Sequence, residues 1–262
     1  MVLENPERPE TIYVVPLVMS YHNVIEAPNL IEQYFRKEWK QRYVLVKDNF
    51  RSVQKNLSFL WNFLSSSSEM VFSFGEPRDL FGNRLDAEGR SVTGDGERVQ
   101  LADYFRSGGE ITQDPQRNAA YTRLLGDRIL KSYYEINIVF NSHLVAFAAF
   151  QYFKQSEGVD LYRLFTRSES NMVIPENKFI EIVGRLMEKL REMDRNGQVQ
   201  LAKHLRKPVS EIIEEGIDNL SGYHVESPLY KKKNGHYGTQ NLKTLYFYHN
   251  RLKGYELHRF IN

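Results

Sequence analysis

Residues 11–18 read TIYVVPLV, a near-continuous apolar stretch only ten residues from the first methionine, and whatever this chain becomes must supply that stretch with neighbours. Its β-branched residues suit a strand covered on both faces, as in the sheets of α/β proteins. After Pro28, apolar Leu30, Ile31, Tyr34 and Phe35 recur at helical spacing and predict a helix ending near Arg42. A second helical stripe crosses residues 49–65 through Phe50, Val53, Leu57, Leu60, Trp61 and Leu64, and serines at 65–68 break it. Residues 69–74 alternate as a strand and run into a turn at Gly75, Glu76 and Pro77. Residues 80–100, with Gly82, Gly89, Gly94 and Gly96 among charges, read as a long loop or hairpin, a length that usually goes with a functional or lid role.

Beyond Thr112 the pattern becomes mainly helical, which places a domain boundary near residues 108–114 and divides the chain into 1–110 and 111–262. One helix follows Pro115 through Tyr121, Leu124, Leu125 and Ile129. The next, residues 133–155, is apolar on most sides and is expected at the centre of the core. Pro175 suits a first helical turn, and Phe179, Ile182, Val183, Leu186, Leu190 and Met193 form one face before Asn196 and Gly197 stop the helix. A strand at 198–202, a second proline-started helix from Pro208 and two β-prone stretches around Lys231, Lys232 and Lys233 follow in a winged-helix-like order. A tyrosine-rich helix is expected from Leu242 to Phe260, and both ends of the sequence read as cut.

Composition narrows the function. The 35 Lys and Arg nearly balance 33 Asp and Glu, so a formal charge of +2 gives no global field to attract nucleic acid. The absence of cysteine removes disulfides, thiolate catalysis and sulfur-ligated zinc. The first ten residues lack the apolar core of a secretory signal. Residues 136–153, the longest apolar stretch, are interrupted by Asn137, Asn141, Ser142, His143 and Gln151, and fall short of the roughly 20 apolar residues that span a bilayer.

Two blocks carry a resemblance. Residues 12–18 followed by Tyr21 are similar to the fourth conserved block of the glycerol-3-phosphate and 1-acylglycerol-3-phosphate acyltransferases, a strand with a proline near its end and a tyrosine after it. Residues 72–77, FSFGEP, resemble a later strand and turn of the same catalytic domain. Residues 135–146 and 246–252 resemble two helices of the carboxyl-terminal region, so the likeness covers nearly the whole chain. It is nearest to large acyltransferases of the Bacteroidetes type, in which residues 81–99 would be an insertion.

The resemblance implies an α/β remnant of an acyltransferase domain, residues 1–110, followed by a mainly helical carboxyl-terminal domain. It implies transfer of a fatty acyl group from acyl-CoA or acyl carrier protein, as co-substrate, to glycerol 3-phosphate, with no resident cofactor. It also implies a peripheral position on the cytoplasmic side of the bacterial inner membrane. In that family a His-x-x-x-x-Asp block supplies the general base. None of the seven histidines here has an aspartate five residues on, so this chain is expected to be inactive alone and to need an upstream catalytic half as partner.

Candidate residues have plainer readings beside them. Pro16 and Tyr21 line a substrate pocket by resemblance, or end a core strand. Gly75 and Glu76 are substrate-binding by resemblance, or a turn. Lys231, Lys232 and Lys233 would meet an anionic membrane surface, or cap a solvated hairpin. His143 is a polar contact between domains, or a satisfied core histidine. Gly94 and Gly96 lack the strand and helix of a dinucleotide fingerprint, and Asp86, Glu88 and Asp95 lack calcium-loop spacing, so neither a cofactor nor a metal is expected. The rival reading is a non-enzymatic lipid- or partner-binding module; a nucleic-acid-binding winged helix is weaker, given the charge.

Overall fold

A computed structural model describes residues 12–39, 69–222 and 224–261. The expected helical stripe at 49–65, the serines after it and the expected helix end near Arg42 lie outside these residues. The protein is mostly helical with some strands, which form small separate sheets. Among the described residues no helix is long and apolar enough to cross a membrane.

Two compact units are present, each assembled from separated stretches. The first holds residues 12–19 and 72–137, the second residues 20–39, 69–71 and 138 onward. A sequential division at 110/111 therefore does not describe them: the helix that begins at Pro115 belongs to the first unit, and the amino-terminal helix belongs to the second.

β1 (Leu17–Tyr21) and β2 (Met70–Phe74) pair as a two-stranded ribbon, of which residues 17–19 and 72–74 belong to the first unit. The expected strand at 11–18 is shifted because Pro16 has no N–H to give to a ladder. Its carbonyl instead accepts the Gly75 N–H at 2.8 Å, and Val14 bridges Arg78. The ribbon is not covered on both faces. Pro16, Ser20 and Ser73 are buried, whereas Val15, Leu17, Met19, Met70, Phe72 and Phe74 are exposed, Phe74 to 68%.

Of the loop and hairpin readings of the glycine-rich stretch after it, the hairpin is the one present, within a chain of tight turns. At Asp79, Asp86 and Thr93 a side-chain oxygen accepts the N–H four residues on, at 2.8, 2.8 and 3.1 Å. The residue three on is Gly82, Gly89 or Gly96, each at positive φ (78°, 78° and 84°), where a Cβ would strain the backbone. The turns connect β3 (Arg84–Leu85) to β4 (Ser91–Val92) and lead to a second small hairpin, β5 (Arg106–Ser107) and β6 (Glu110–Ile111). Phe81 stacks on Tyr104 at 4.2 Å and meets Tyr121 edge-on, which fastens the turns to α2 (Pro115–Ile136). Asp114 caps α2 by accepting the Gln116 and Arg117 N–H groups.

The second unit is built around α3 (Asn141–Glu157), buried on nearly every side as its composition predicts. It begins later than the expected helix over 133–155. The backbone at 137–140 is extended so that β7 (Ile138–Val139) can pair in parallel with β9 (Gln200–Leu201). Around α3 lie α1 (Ala27–Trp39), the short α4 (Leu161–Thr166), α5 (Glu176–Arg195), α6 (Val209–Ser221) and α7 (Leu242–His249). The apolar face predicted for α5 is the buried one, α6 buries Ile212, Ile213 and Leu220, and Gly197, at φ 68°, lies just past the end of α5. The helix expected up to Phe260 stops at His249 and continues as 3₁₀ turns, separated at Glu256 by a left-handed residue (φ 55°). β8 (Val173–Ile174), β10 (Tyr230–Lys231) and β11 (Tyr237–Gly238) form an antiparallel sheet in the order β10, β11, β8.

Candidate functional site

Titratable side chains gather at the start of α3, all within the second unit. Phe140 precedes the helix in extended conformation, and its N–H is accepted by His143 Nδ1 at 3.2 Å. That fixes the proton of neutral His143 on Nε2, which donates to the Tyr21 carbonyl at 3.0 Å. Burial, and then the nearby Arg251 cation, depress His143 to about 3, so it is a neutral, satisfied core histidine.

Phe140 also serves as a platform. His22, one residue past β1, stacks on its ring at 4.4 Å, and His204, in the 3₁₀ turn Lys203–Arg206 that follows β9, meets it edge-on at 5.4 Å. The two imidazoles lie 5.3 Å apart by ring centroid. Glu69, one residue before β2, brings a carboxylate oxygen to 4.0 Å from His22 Nε2 and 3.8 Å from His204 Nδ1. The β1–β2 pairing is what places the residues at its end, His22 and Glu69, together. Each remaining ring nitrogen is held: His22 Nδ1 hydrogen-bonds the Ser142 hydroxyl at 3.0 Å, and His204 Nε2 accepts the Asn141 N–H at 2.9 Å. Burial lowers both rings, His22 to about 4 with a further push from His204; Glu69 partly opposes the shift of His204. At neutral pH the cluster is two neutral imidazoles facing one carboxylate that is 54% exposed. The ligating atoms of His22, Glu69 and His204 all lie within 4.8 Å of one another, and these three residues form a group able to hold a metal ion.

The residues expected from sequence do not converge on this cluster. Pro16 is buried and Gly75 sits against it; a Cβ on Gly75 would lie 3.2 Å from the Pro16 ring and 2.5 Å from Ser132 Oγ. Glu76 is exposed and ion-paired with Arg84 at 3.4 Å. Tyr21 belongs to the second unit, where Arg251 lies over its ring at 5.2 Å. Of the three lysines, Lys231 is tied to Glu176 at 2.7 Å, Lys232 reaches the Ser170 carbonyl at 3.5 Å, and Lys233 is exposed in the turn between β10 and β11. An open hollow of about 480 Å³ beside α5 is bordered by Glu188, Arg191, Asp194, Arg195 and Arg206, whose charges of both signs largely offset one another, three arginines against two carboxylates.

Nothing in sequence spacing joins His22, Glu69 and His204, which lie in distant segments. A signal existed only for the strand ends that carry His22 and Glu69. Compared with family models, curated proteins and solved structures, the chain matches none.

Proposed function

We propose that this chain is the carboxyl-terminal portion of an O-acyltransferase that moves a fatty acyl group from acyl-CoA or acyl carrier protein to glycerol 3-phosphate, and that it contributes structure rather than the catalytic base. One observation supports this above others: the two sequence blocks that carry the resemblance, 12–18 and 72–77, lie side by side as one ribbon with its apolar residues uncovered. A pair of strands is marginal alone, and apolar side chains exposed along it mark a surface that something else covers, here further elements of the same domain. In this reading the covering elements come with the His-x-x-x-x-Asp block, where histidine acts as general base on the acceptor hydroxyl. Pro16 and Gly75 would then form a rigid wall behind the acceptor pocket. Membrane contact would depend less on the lysines, since Glu176 offsets Lys231.

The reading frame upstream of Met1 tests this first. A His-x-x-x-x-Asp block encoded there in frame supports it, and an upstream frame without one overturns it. The purified 262-residue chain is expected to show no acyl transfer from acyl-CoA to radiolabelled glycerol 3-phosphate; turnover above the no-enzyme control would refute the non-catalytic assignment. The same uncovered ribbon also suits a lipid- or partner-binding module, which sedimentation with liposomes, combined with the absence of the upstream block, would favour.

A further inference from the structure

We propose that His22, Glu69 and His204 bind a divalent transition-metal ion, with zinc the best match to the donor set. The inference is independent of the acyltransferase reading. Two imidazoles and one carboxylate are the three protein ligands of a common type of open zinc site, whose fourth position is left to water or substrate. Here the carboxylate is the exposed member (54%), while His22 and His204 are 5% and 15% exposed, so the vacant side faces solvent through Glu69.

The surroundings also suit a metal. His22 presents Nε2, and its other nitrogen is hydrogen-bonded to Ser142 Oγ, which can accept as readily as donate; metal at Nε2 leaves Nδ1–H to donate to that hydroxyl. Phe140 packs against both rings and holds them in place. The present separations, 3.8 and 4.0 Å from the carboxylate oxygen, exceed the roughly 3.3 Å expected between ligand atoms about 2.0–2.1 Å from a tetrahedral zinc. Movement of the exposed Glu69 shortens its own two edges, and a small turn of the imidazoles completes the triangle, whose atoms now lie within 4.8 Å of one another.

His204 opposes binding in one respect. Its Nε2 accepts the Asn141 N–H, so the neutral ring carries its proton on Nδ1, the nitrogen that faces the site. Binding shifts that proton to Nε2 and gives up the hydrogen bond. The loss weakens affinity by about tenfold to a hundredfold relative to a site whose histidine is free of that bond.

The test is titration of the chelator-stripped full chain with Co²⁺, followed by visible absorption, and with Zn²⁺ in competition with a chromophoric chelator. The expected result is one ion per chain and the intense visible bands of four-coordinate cobalt. E69Q and H204Q should each weaken Zn²⁺ binding more than tenfold, and S142A, which acts only through His22, by about tenfold to a hundredfold. Because Glu69 is exposed, E69Q keeps the fold, checked by circular dichroism, and remains informative if H204Q does not fold. Absence of saturable binding by the wild-type chain, or binding unchanged in E69Q, overturns the site. Loss in E69Q with full retention in a folded H204Q overturns the three-ligand assignment.

Discussion

Gly75 is small because its position leaves no space for more. An added Cβ would lie 2.5 Å from the Ser132 hydroxyl and 3.2 Å from two carbons of Pro16. Overpacking of this kind costs about 1–3 kcal/mol, so G75A is expected to lower the urea midpoint. Part of that loss should return in the G75A/S132A double variant, because deleting Ser132 Oγ removes the closest contact while Pro16 remains. Full additivity of the two substitutions would show that the contact is not the cause. The same residue accounts for how a sequence block can look like a turn: the glycine is demanded by close packing against a proline, which one-dimensional patterns do not separate from a need for backbone freedom.

Between helices, two glycines give opposite expectations. Gly216 in α6 would bring a Cβ to 2.9 Å from Val145 and 3.0 Å from the Asn141 carbonyl of α3, whereas Gly184 in α5 has open space where its side chain would be. In a helix interior alanine is favoured over glycine by about 1 kcal/mol. G184A should therefore raise the unfolding free energy by about 1 kcal/mol and the urea midpoint with it, and G216A should lower both despite the same propensity gain, since the helix–helix contact has backbone on one side. Helix α5 was legible in sequence because proline, glycine and an apolar stripe mark start, stop and buried face independently, and α6 because a proline and an apolar stripe mark its start and buried face. The break at 137–140 was not, because it depends on pairing with Gln200 and Leu201, far along the chain. The turn series after Asp79 did leave a trace, an Asp or Thr three residues before a glycine, recurring every seven residues at 79, 86 and 93. Of the His22, Glu69 and His204 cluster only the strand ends that carry His22 and Glu69 left a trace, since the cluster exists only once two strand ends and a 3₁₀ turn have met.

For the whole molecule the buried histidines set the response to acid. His143 and His249 are held at about 3 and His22 and His224 at about 4, in every case chiefly by burial, against roughly 6.5 in an unfolded chain. Below about pH 6.5 the unfolded chain takes up protons that the folded one declines, so stability is complete above that pH and is lost as pH falls toward 4 and then 3. Glu169, raised by its own burial, acts in the opposite sense but is one group against five, since burial lowers His204 as well. Urea midpoints at pH 7, 6 and 5 should fall steadily, with unfolding at pH 5 absorbing several protons per chain. A flat profile over that range would show that these rings are not kept neutral by the fold.

The discontinuous make-up of the second unit bears on how the protein is made. Ile31 and Phe35 of α1 are buried in the same cluster as the α7 residues Leu245 and Tyr246; Phe35 stacks on Tyr246 at 6.0 Å, and the Val24 N–H reaches the Tyr248 hydroxyl at 2.8 Å. On the ribosome the amino-terminal helix therefore emerges long before its partners exist: Phe35 meets Phe165 at 4.8 Å, and the rest of its apolar face is not covered until α7 has been added. A nascent chain of this design depends on something to occupy that face during synthesis, so its yield in cells will follow chaperone supply more closely than its final stability.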